Sequence, residues 1–472
     1  MRPGAYPYGG TLFEAADREL LLTLLRTPTV NPLEAPGRDD ADDGAGLRRA
    51  QHSYATAAEK LGMRIVRHGS PPAAAVRRAD VPAAVRRAAE DPDFLARQPS
   101  LVLRMGPELP LGSTVMFNVH LDTVAGLHPV GFDGVRFTGR GAIDAKGPAV
   151  ALLAGIRAAL ARHPAIGRDV AVLVQAVSGE EGGAMGTFGT RPLVEAGLVG
   201  RLNVFCEPTG LRYLPRATAS MTACVRVDGD DAVDDRPAAG HNATVLLGFL
   251  AQHLARELDV RVPGGAVCVA GLHTGDLHNR VYGRGRLLLN LAYGSTPDGA
   301  AAERAIAGAV DSGLRAFARQ FAPLPGFART AADAARVTRL EWLKRGLPCL
   351  DNGDPWAEEV LARAGVARWP DHEPAFTCDA IWMAGLPGVF TTVLGPGSLD
   401  ANRAHAPGEF ADLADLESFA GTVARLLIAF AERSRHPEDP EGPERPERPE
   451  SSDSPEDPEA RESPETPERT ST

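Results

Sequence analysis

At 472 residues the chain exceeds what one ordinary hydrophobic core organises, so two folded domains are expected. The formal charge of −11 is concentrated at one end: from His436 onward there are thirteen acids against four arginines, a balance of −9 that leaves −2 for the rest. No basic patch remains to recruit nucleic acid or an anionic membrane, so neither is expected as a partner.

The segment from Thr11 to Arg26 reads as an amphipathic helix with Leu20, Leu21, Leu24 and Leu25 on one face. An Ala/Arg-rich stretch follows, PPAAAVRRADVPAAVRRAAEDPDFLARQ, read as helical decoration without visible chemistry. Strand–helix alternation then begins with SLVLRMG, STVMFNV, the helix GPAVALLAGIRAALARH, DVAVLVQAV and RLNVFC. Near Thr218 the pattern changes to strand, helix, strand, strand, helix, which suggests a small two-layer domain inserted into the first. The main fold resumes near Lys344, includes GVFTTVLG, and closes with the helix LESFAGTVARLLIAFAER. Beyond His436 a Pro-Glu-Arg-Ser tract is too polar to pack and reads as a disordered acidic tail. The expected organisation is a catalytic domain in two parts, 1–215 and 344–435, an inserted domain at 216–343, and a tail at 436–472.

Five scattered cysteines never spaced as Cys-x-x-Cys argue against a disulfide framework or a thiolate metal site, and for a reducing compartment. The N-terminus lacks an apolar core of signal-peptide length, and no run approaches the roughly 20 apolar residues that span a bilayer. The expectation is a cytoplasmic protein.

The chemistry lies where strands end, the place where open α/β sheets bind ligands. STVMFNV runs into His120-Leu121-Asp122, where the Asp122 carboxylate could accept the second ring N–H of His120 and fix its tautomer. GRGAIDAKGP sets Asp144 in a Gly-rich loop before a helix. DVAVLVQAV delivers Glu180 and Glu181, adjacent acids that are costly to bring together without a cation. RLNVFC ends at Glu207, and GVFTTVLG leads to His405. Each piece alone has a plainer explanation as a surface histidine, solvated turn or helix cap. Jointly they supply hard oxygens and imidazoles suited to zinc or a related divalent ion.

The pieces VHLDTV, GRGAIDAKGP, SGEEGG, CEPT and GPGSLDANRAHAPGEF, in this order, resemble the zinc metallopeptidase family of acetylornithine deacetylase, succinyl-diaminopimelate desuccinylase, aminoacylase and glutamate carboxypeptidase. GLHTGDLHNRV is similar to the deacetylase branch. The resemblance implies a zinc-aminopeptidase-like α/β catalytic domain with an inserted α+β, ferredoxin-like lid that joins two copies into a homodimer. It implies that Asp144 bridges two divalent ions, zinc with cobalt or manganese as alternatives. His120 and Glu207 would complete one site, and Glu181 and His405 the other. Asp122 would support His120, and Glu180 would be the general base for a metal-bridged water. Asn279, Arg280, Gly395 and Gly397 would face a small-molecule amide or peptide substrate.

Two positions depart from the family. The lid histidine that helps hold the oxyanion is Val233, which donates no hydrogen bond; His241, His273 and His278 are candidate replacements. The Asp-Ile-Arg that grips a substrate carboxylate is Asn290-Leu291-Ala292, with Arg280 and Arg403 as candidate substitutes. The reading is therefore an amide hydrolase with an atypical substrate. The alternatives are a same-scaffold enzyme that forms or rearranges an amide, or a non-catalytic metal-stabilised binding protein.

Overall fold

A computed structural model of the chain describes residues 11–34, 45–262 and 267–435; the acidic tail lies outside them. Residues up to Arg435 cluster as one unit. The first layer contains helices α1 (Ala15–Arg26) and α2 (Ala45–Glu59) and strands β1 (Arg64–Gly69), β2 (Ser100–Met105) and β3 (Thr114–His120). Helix α3 (Lys146–Leu160) and strands β4 (Ala171–Val177) and β5 (Leu202–Phe205) follow.

The inserted layer comprises β6 (Ala219–Asp228), α4 (Ala243–Arg261), β7 (Val267–His273), β8 (Arg284–Tyr293), α5 (Thr296–Phe321) and β9 (Thr338–Lys344). Strand β10 (Phe390–Val393) and helix α6 (Leu413–Arg435) return to the first layer.

The main sheet runs β1-β2-β4-β3-β5-β10. Its β1/β2 and β2/β4 pairs are antiparallel, and β4/β3, β3/β5 and β5/β10 are parallel. Strands β3 and β4 are buried at every position, as strands covered on both faces must be. Because β4 lies on one side of β3 and β5 on the other, the strand order reverses at β3. A crevice opens at such a reversal, at the carboxyl ends of the strands.

Thirteen of the fifteen residues of α3 are buried, which is why its sequence is apolar all round rather than striped. Its crossing with α6 is close: a Cβ added at Gly155 would meet the Ala420 carbonyl at 2.6 Å and Val423 at 2.6 Å. Burial of Val150, Leu153 and Ile156 stabilises this layer by about 1.5–3 kcal/mol per side chain.

The inserted sheet runs β7-β8-β6-β9, antiparallel throughout. With α4 and α5 this is the β-α-β-β-α-β arrangement of a ferredoxin-like layer. Strand β9 was missed in the sequence, as were α2 and β1; its TRLEWLK mixes charge with apolar residues at a sheet edge. Along β8, Leu287, Leu289, Leu291 and Tyr293 are buried, while Leu288, Asn290 and Ala292 are half-buried, the period-2 pattern of a strand with unlike faces. One apolar cluster joins Val225 and Leu289 of this layer to Val177 and Phe205 of the main sheet.

The Ala/Arg-rich stretch holds only one short α-helix, Ala83–Ala88, between two 3-10 turns, so its helical reading is largely corrected. Prolines at 71, 72, 82 and 92 fall within it, where a continuous helix would not tolerate them. No helix among the described residues is long and apolar enough to cross a membrane, and all five cysteines are free.

Candidate metal centre

His120 is the last residue of β3, and its ring Nε2 lies 2.9 Å from Asp144 Oδ1 and 3.7 Å from Glu207 Oε1. His405 Nε2 lies 2.9 Å from Asp144 Oδ2 and 3.1 Å from Glu181 Oε1. The two oxygens of Asp144 thus each face one imidazole. Ligand atoms of His120, Asp144 and Glu207 form one compact group, and those of Asp144, Glu181 and His405 another. Two ligands about 2.0–2.1 Å from a tetrahedral ion lie about 3.3 Å apart, and the observed separations bracket that value. All five candidate ligands are brought together; Glu180 joins His120 and Glu181 in a third group.

The electrostatics fit divalent cations. Burial pushes the Glu181 carboxyl up to about 7 against a partial offset from His405. Burial likewise takes Glu207 up to about 8, with His120 opposing it and Asp144 adding to it. Burial and the adjacent Glu181 raise Glu180 well above the carboxylate range. Asp144 is also pushed upward by burial, but hydrogen bonds from His120 and His405 outweigh that and hold it below its ordinary value. Those same contacts with Asp144 and Glu181 raise His405 to about 10. Two imidazoles cannot balance so many buried acids: Glu181 Oε1 has only the His405 ring 3.1 Å away, and Asp122 Oδ1 has no hydrogen-bond partner among the described residues. Cations would supply the missing positive charge.

The surroundings hold these groups in place. His120 Nδ1 is 2.9 Å from the main-chain oxygen of Asp122 but 3.9 Å from its carboxylate. The expected carboxylate support is therefore corrected: the backbone carbonyl takes the ring N–H. The Asp122 carboxylate instead accepts from Asn31 Nδ2 at 2.9 Å and from the Glu181 amide at 3.2 Å, so it positions the neighbouring loop. Asn31 also donates to the Glu181 carbonyl at 3.0 Å.

Glu409 Oε1 accepts from the amides of Ile143 and Asp144 at 3.1 and 3.3 Å, and its Oε2 from Arg140 at 2.5 Å. The Asp144 loop is thereby tied to the loop that carries His405. Asp379, pushed to about 7 by burial against a hydrogen bond from Thr190, lies within electrostatic reach of Asp122 and Glu181. Asn31, Glu409, Arg140 and Asp379 were missed in the sequence. Glu409 stood inside a quoted motif, whereas Asn31 and Asp379 reveal themselves only by burial.

Gly395 and Gly397 pack on the Glu207 loop. Gly395 N donates to Thr209 Oγ1 at 3.0 Å, Gly210 N to Gly397 O at 2.7 Å, and a Cβ at Gly395 would collide with the Glu207 backbone. Close backbone approach is what glycine permits here.

Asn279 and Arg280 are gathered elsewhere. With Val233, Leu277 and Asp231 they line a cavity to which no candidate ligand contributes, and Arg280 pairs with Asp231 at 2.8 Å. His241 is no replacement for the missing lid histidine: it is buried, its Nδ1 accepts from the Asp230 amide at 2.8 Å, and its Nε2 meets Asp333 at 3.0 Å. His273, His278 and Arg403 have no assigned role in this arrangement.

Comparison with known proteins supplies the context. Over 198 residues the chain is 31% identical to a protein of Aeropyrum pernix described as a LysW-lysine/LysW-ornithine hydrolase. That match covers 41% of this chain and 50% of the relative, so the chain spans about half the length of the curated relative it matches.

Among solved structures it resembles the M20 metallo-carboxypeptidase Sso-CP2 of Sulfolobus solfataricus (TM-score 0.61, 13% identity, 88% of this chain and 99% of that one). It also resembles human carnosine dipeptidase 1 (0.56, 15%, 89% and 99%). A third likeness is to the YXEP protein of Bacillus subtilis, described as a dinuclear metal-binding M20 peptidase (0.54, 13%, 89% and 99%). At such identities these likenesses concern the fold. The sequence pattern of peptidase family M20/M25/M40 matches residues 116–429, a span that carries every candidate ligand, and the chain therefore belongs to that family of amide- and peptide-bond hydrolases.

Proposed function

We propose that this chain is a dinuclear zinc-dependent amide hydrolase that removes an acyl group or a terminal residue from an amine. The observation that carries the reading is the placement of one carboxylate, Asp144, with an imidazole 2.9 Å from each of its oxygens. Two divalent ions bound there would polarise the scissile carbonyl and acidify water.

The chain's own residues supply the rest. His120 and Glu207 hold one side of Asp144, and Glu181 and His405 the other. Glu180, half-buried beside them, accepts the proton of the attacking water and returns it to the departing amine. Its raised proton affinity suits that role, because nearby cations would lower it again toward neutrality. His405, whose side chain is 52% exposed, marks the open side from which substrate arrives. Val233 and Ala292 stand where the family's oxyanion donor and carboxylate anchor are expected, so the substrate differs from an ordinary N-acyl amino acid. The reading includes a cytoplasmic setting and a homodimer through the inserted layer.

The test is purified protein with zinc or cobalt, assayed against a panel of N-acyl and peptidyl amines beside Glu180→Ala. Hydrolysis that falls by about 10²–10⁴-fold in the variant while metal content stays constant supports the assignment. A metal-loaded protein inert toward the whole panel sinks it.

A further inference from the structure

We propose that the cavity between the 71–98 segment and the β9 edge is an anion-binding site that takes a phosphate or carboxylate group carried by the substrate away from its scissile amide. The cavity encloses about 450 Å3. Arg77, Arg78, Arg86, Lys344 and Arg345 line it with Trp342, and no carboxylate lies among its lining residues. Carboxylates outside the lining, Glu195 and Glu303, pair with only Arg78 and Arg345, so the cavity keeps an excess of positive charge that favours an anion.

Three of the five are already engaged. Arg78 meets Glu195 at 2.6 Å, Arg86 donates to the carbonyls of Ala79 and Val81, and Arg345 pairs with Glu303. Two remain: the Lys344 ammonium and the Arg77 guanidinium have no hydrogen-bond or ion-pair partner among the described residues. Burial holds Lys344 below its ordinary pKa, with no opposing carboxylate, so a bound anion would relieve a desolvated charge. A guanidinium and an ammonium across a cavity are a common means of holding a tetrahedral or planar oxyanion.

No candidate ligand lines the cavity, but one of its walls packs on the segment that follows the Glu180–Glu181 loop. Val76, Val81 and Val85 pack against Ala184 and Phe188, which follow directly on the loop of Glu180 and Glu181. Asp80 anchors the same wall by accepting from Arg191 at 2.9 Å. On the opposite wall, Lys344 pairs in register with Thr222 of β6, and Thr222 pairs with Asn290 of β8. Ala292, the position emptied of its arginine, lies two residues further along β8 opposite Ser220. A cation absent from β8 is thus present on β9 of the same sheet. Assignment of the anion to the substrate rests on the hydrolase reading above; the anion site itself does not.

The experiment uses the full chain loaded with zinc. Inorganic phosphate and succinate are titrated separately while tryptophan fluorescence and calorimetry are followed. The wild type is compared with Lys344→Met, Arg77→Ser and Arg87→Ser, the last being exposed on the Ala83–Ala88 helix, beside the lining Arg86 but outside the cavity. Saturable binding of either anion, weakened about tenfold or more in the first two variants and unchanged in the third, supports the site. Absent binding, or equal binding in all four proteins of matched melting temperature, overturns it.

For any panel substrate bearing a phosphate or carboxylate, Lys344→Met should raise KM about tenfold with kcat unchanged, and should leave neutral substrates unaffected. An unchanged KM overturns the assignment to substrate. If nothing in the panel is hydrolysed, the hydrolase reading fails while the anion titration still decides the site.

Discussion

The metal cluster and the Val233 cavity of the inserted layer are both places where the family resemblance implies chemistry, and they are built in opposite ways. At the cluster, charged groups are buried and supported by main-chain amides: Glu409 braces the Asp144 loop, and Asp122 with Asn31 braces the Glu181 loop. Around Val233 the side chains are open to solvent, with Val233 59% and Leu277 60% exposed, and Arg280 is neutralised by Asp231 of its own chain. Buried acids in such numbers persist only where something compensates their charge. An exposed ion pair costs little and implies little. The two regions therefore carry very different weight as functional evidence, although their motifs look equally distinct in one dimension.

The sharpest way to break this contrast is Asp144→Ala. One carboxylate serves both triads, so bound metal should fall from about two equivalents to fewer than one, and activity should be lost with it. Metal analysis after gel filtration decides the matter; retention of two equivalents would remove the central role of Asp144.

Supporting residues should have intermediate effects. Glu409→Gln and Asn31→Ala each leave all five ligands intact but loosen the loops that carry them, and should weaken metal affinity by about 10–100-fold in competition with a chelator.

The metal-free protein gives a third measurement. Folded Glu181 and Glu207 keep protons up to about 7 and 8, whereas the unfolded chain releases them near the ordinary value of 4.5. Their contribution to stability is thus fully present below the unfolded value and lost as pH rises through 7 and 8. His405, raised to about 10, acts in the same direction. The chelated protein should melt lower at pH 9 than at pH 6, and zinc should reverse the trend because its ligands must be deprotonated. A flat profile in both forms would contradict the cluster's charge balance.

The smallest effect is expected at His241→Ala. Loss of its buried hydrogen bonds should lower the melting temperature by a few degrees while metal content and kcat stay constant. A fall in kcat at constant metal content would return His241 to the chemistry from which its contacts exclude it.

Much of the fold was legible because long segments had a clear period. The uniformly apolar β3, β4 and α3 announce a covered parallel sheet, and the alternation in β8 announces a sheet with one buried face. Strand β9 escaped because edge strands carry charges that mask the alternation, and the 71–98 segment misled because alanine and arginine favour helices while its prolines do not.

Among the site residues, His120, Asp144, Glu180, Glu181, Glu207 and His405 could be singled out because each follows a recognisable strand or glycine-rich loop. Which of them share an oxygen, that the Asp122 carbonyl rather than its carboxylate meets His120, and that Asn279 lines a separate cavity are matters of distance. Asn31 and Asp379 carry no local signal. The sequence by itself determined the donor types, their order and the period of the elements that present them, because these are properties of neighbours along the chain. Tertiary structure alone decided the pairings, the burial that raises the carboxyl groups and the setting of Lys344, which has no partner among the described residues. Each depends on atoms that are distant in sequence and meet only when the sheets are packed.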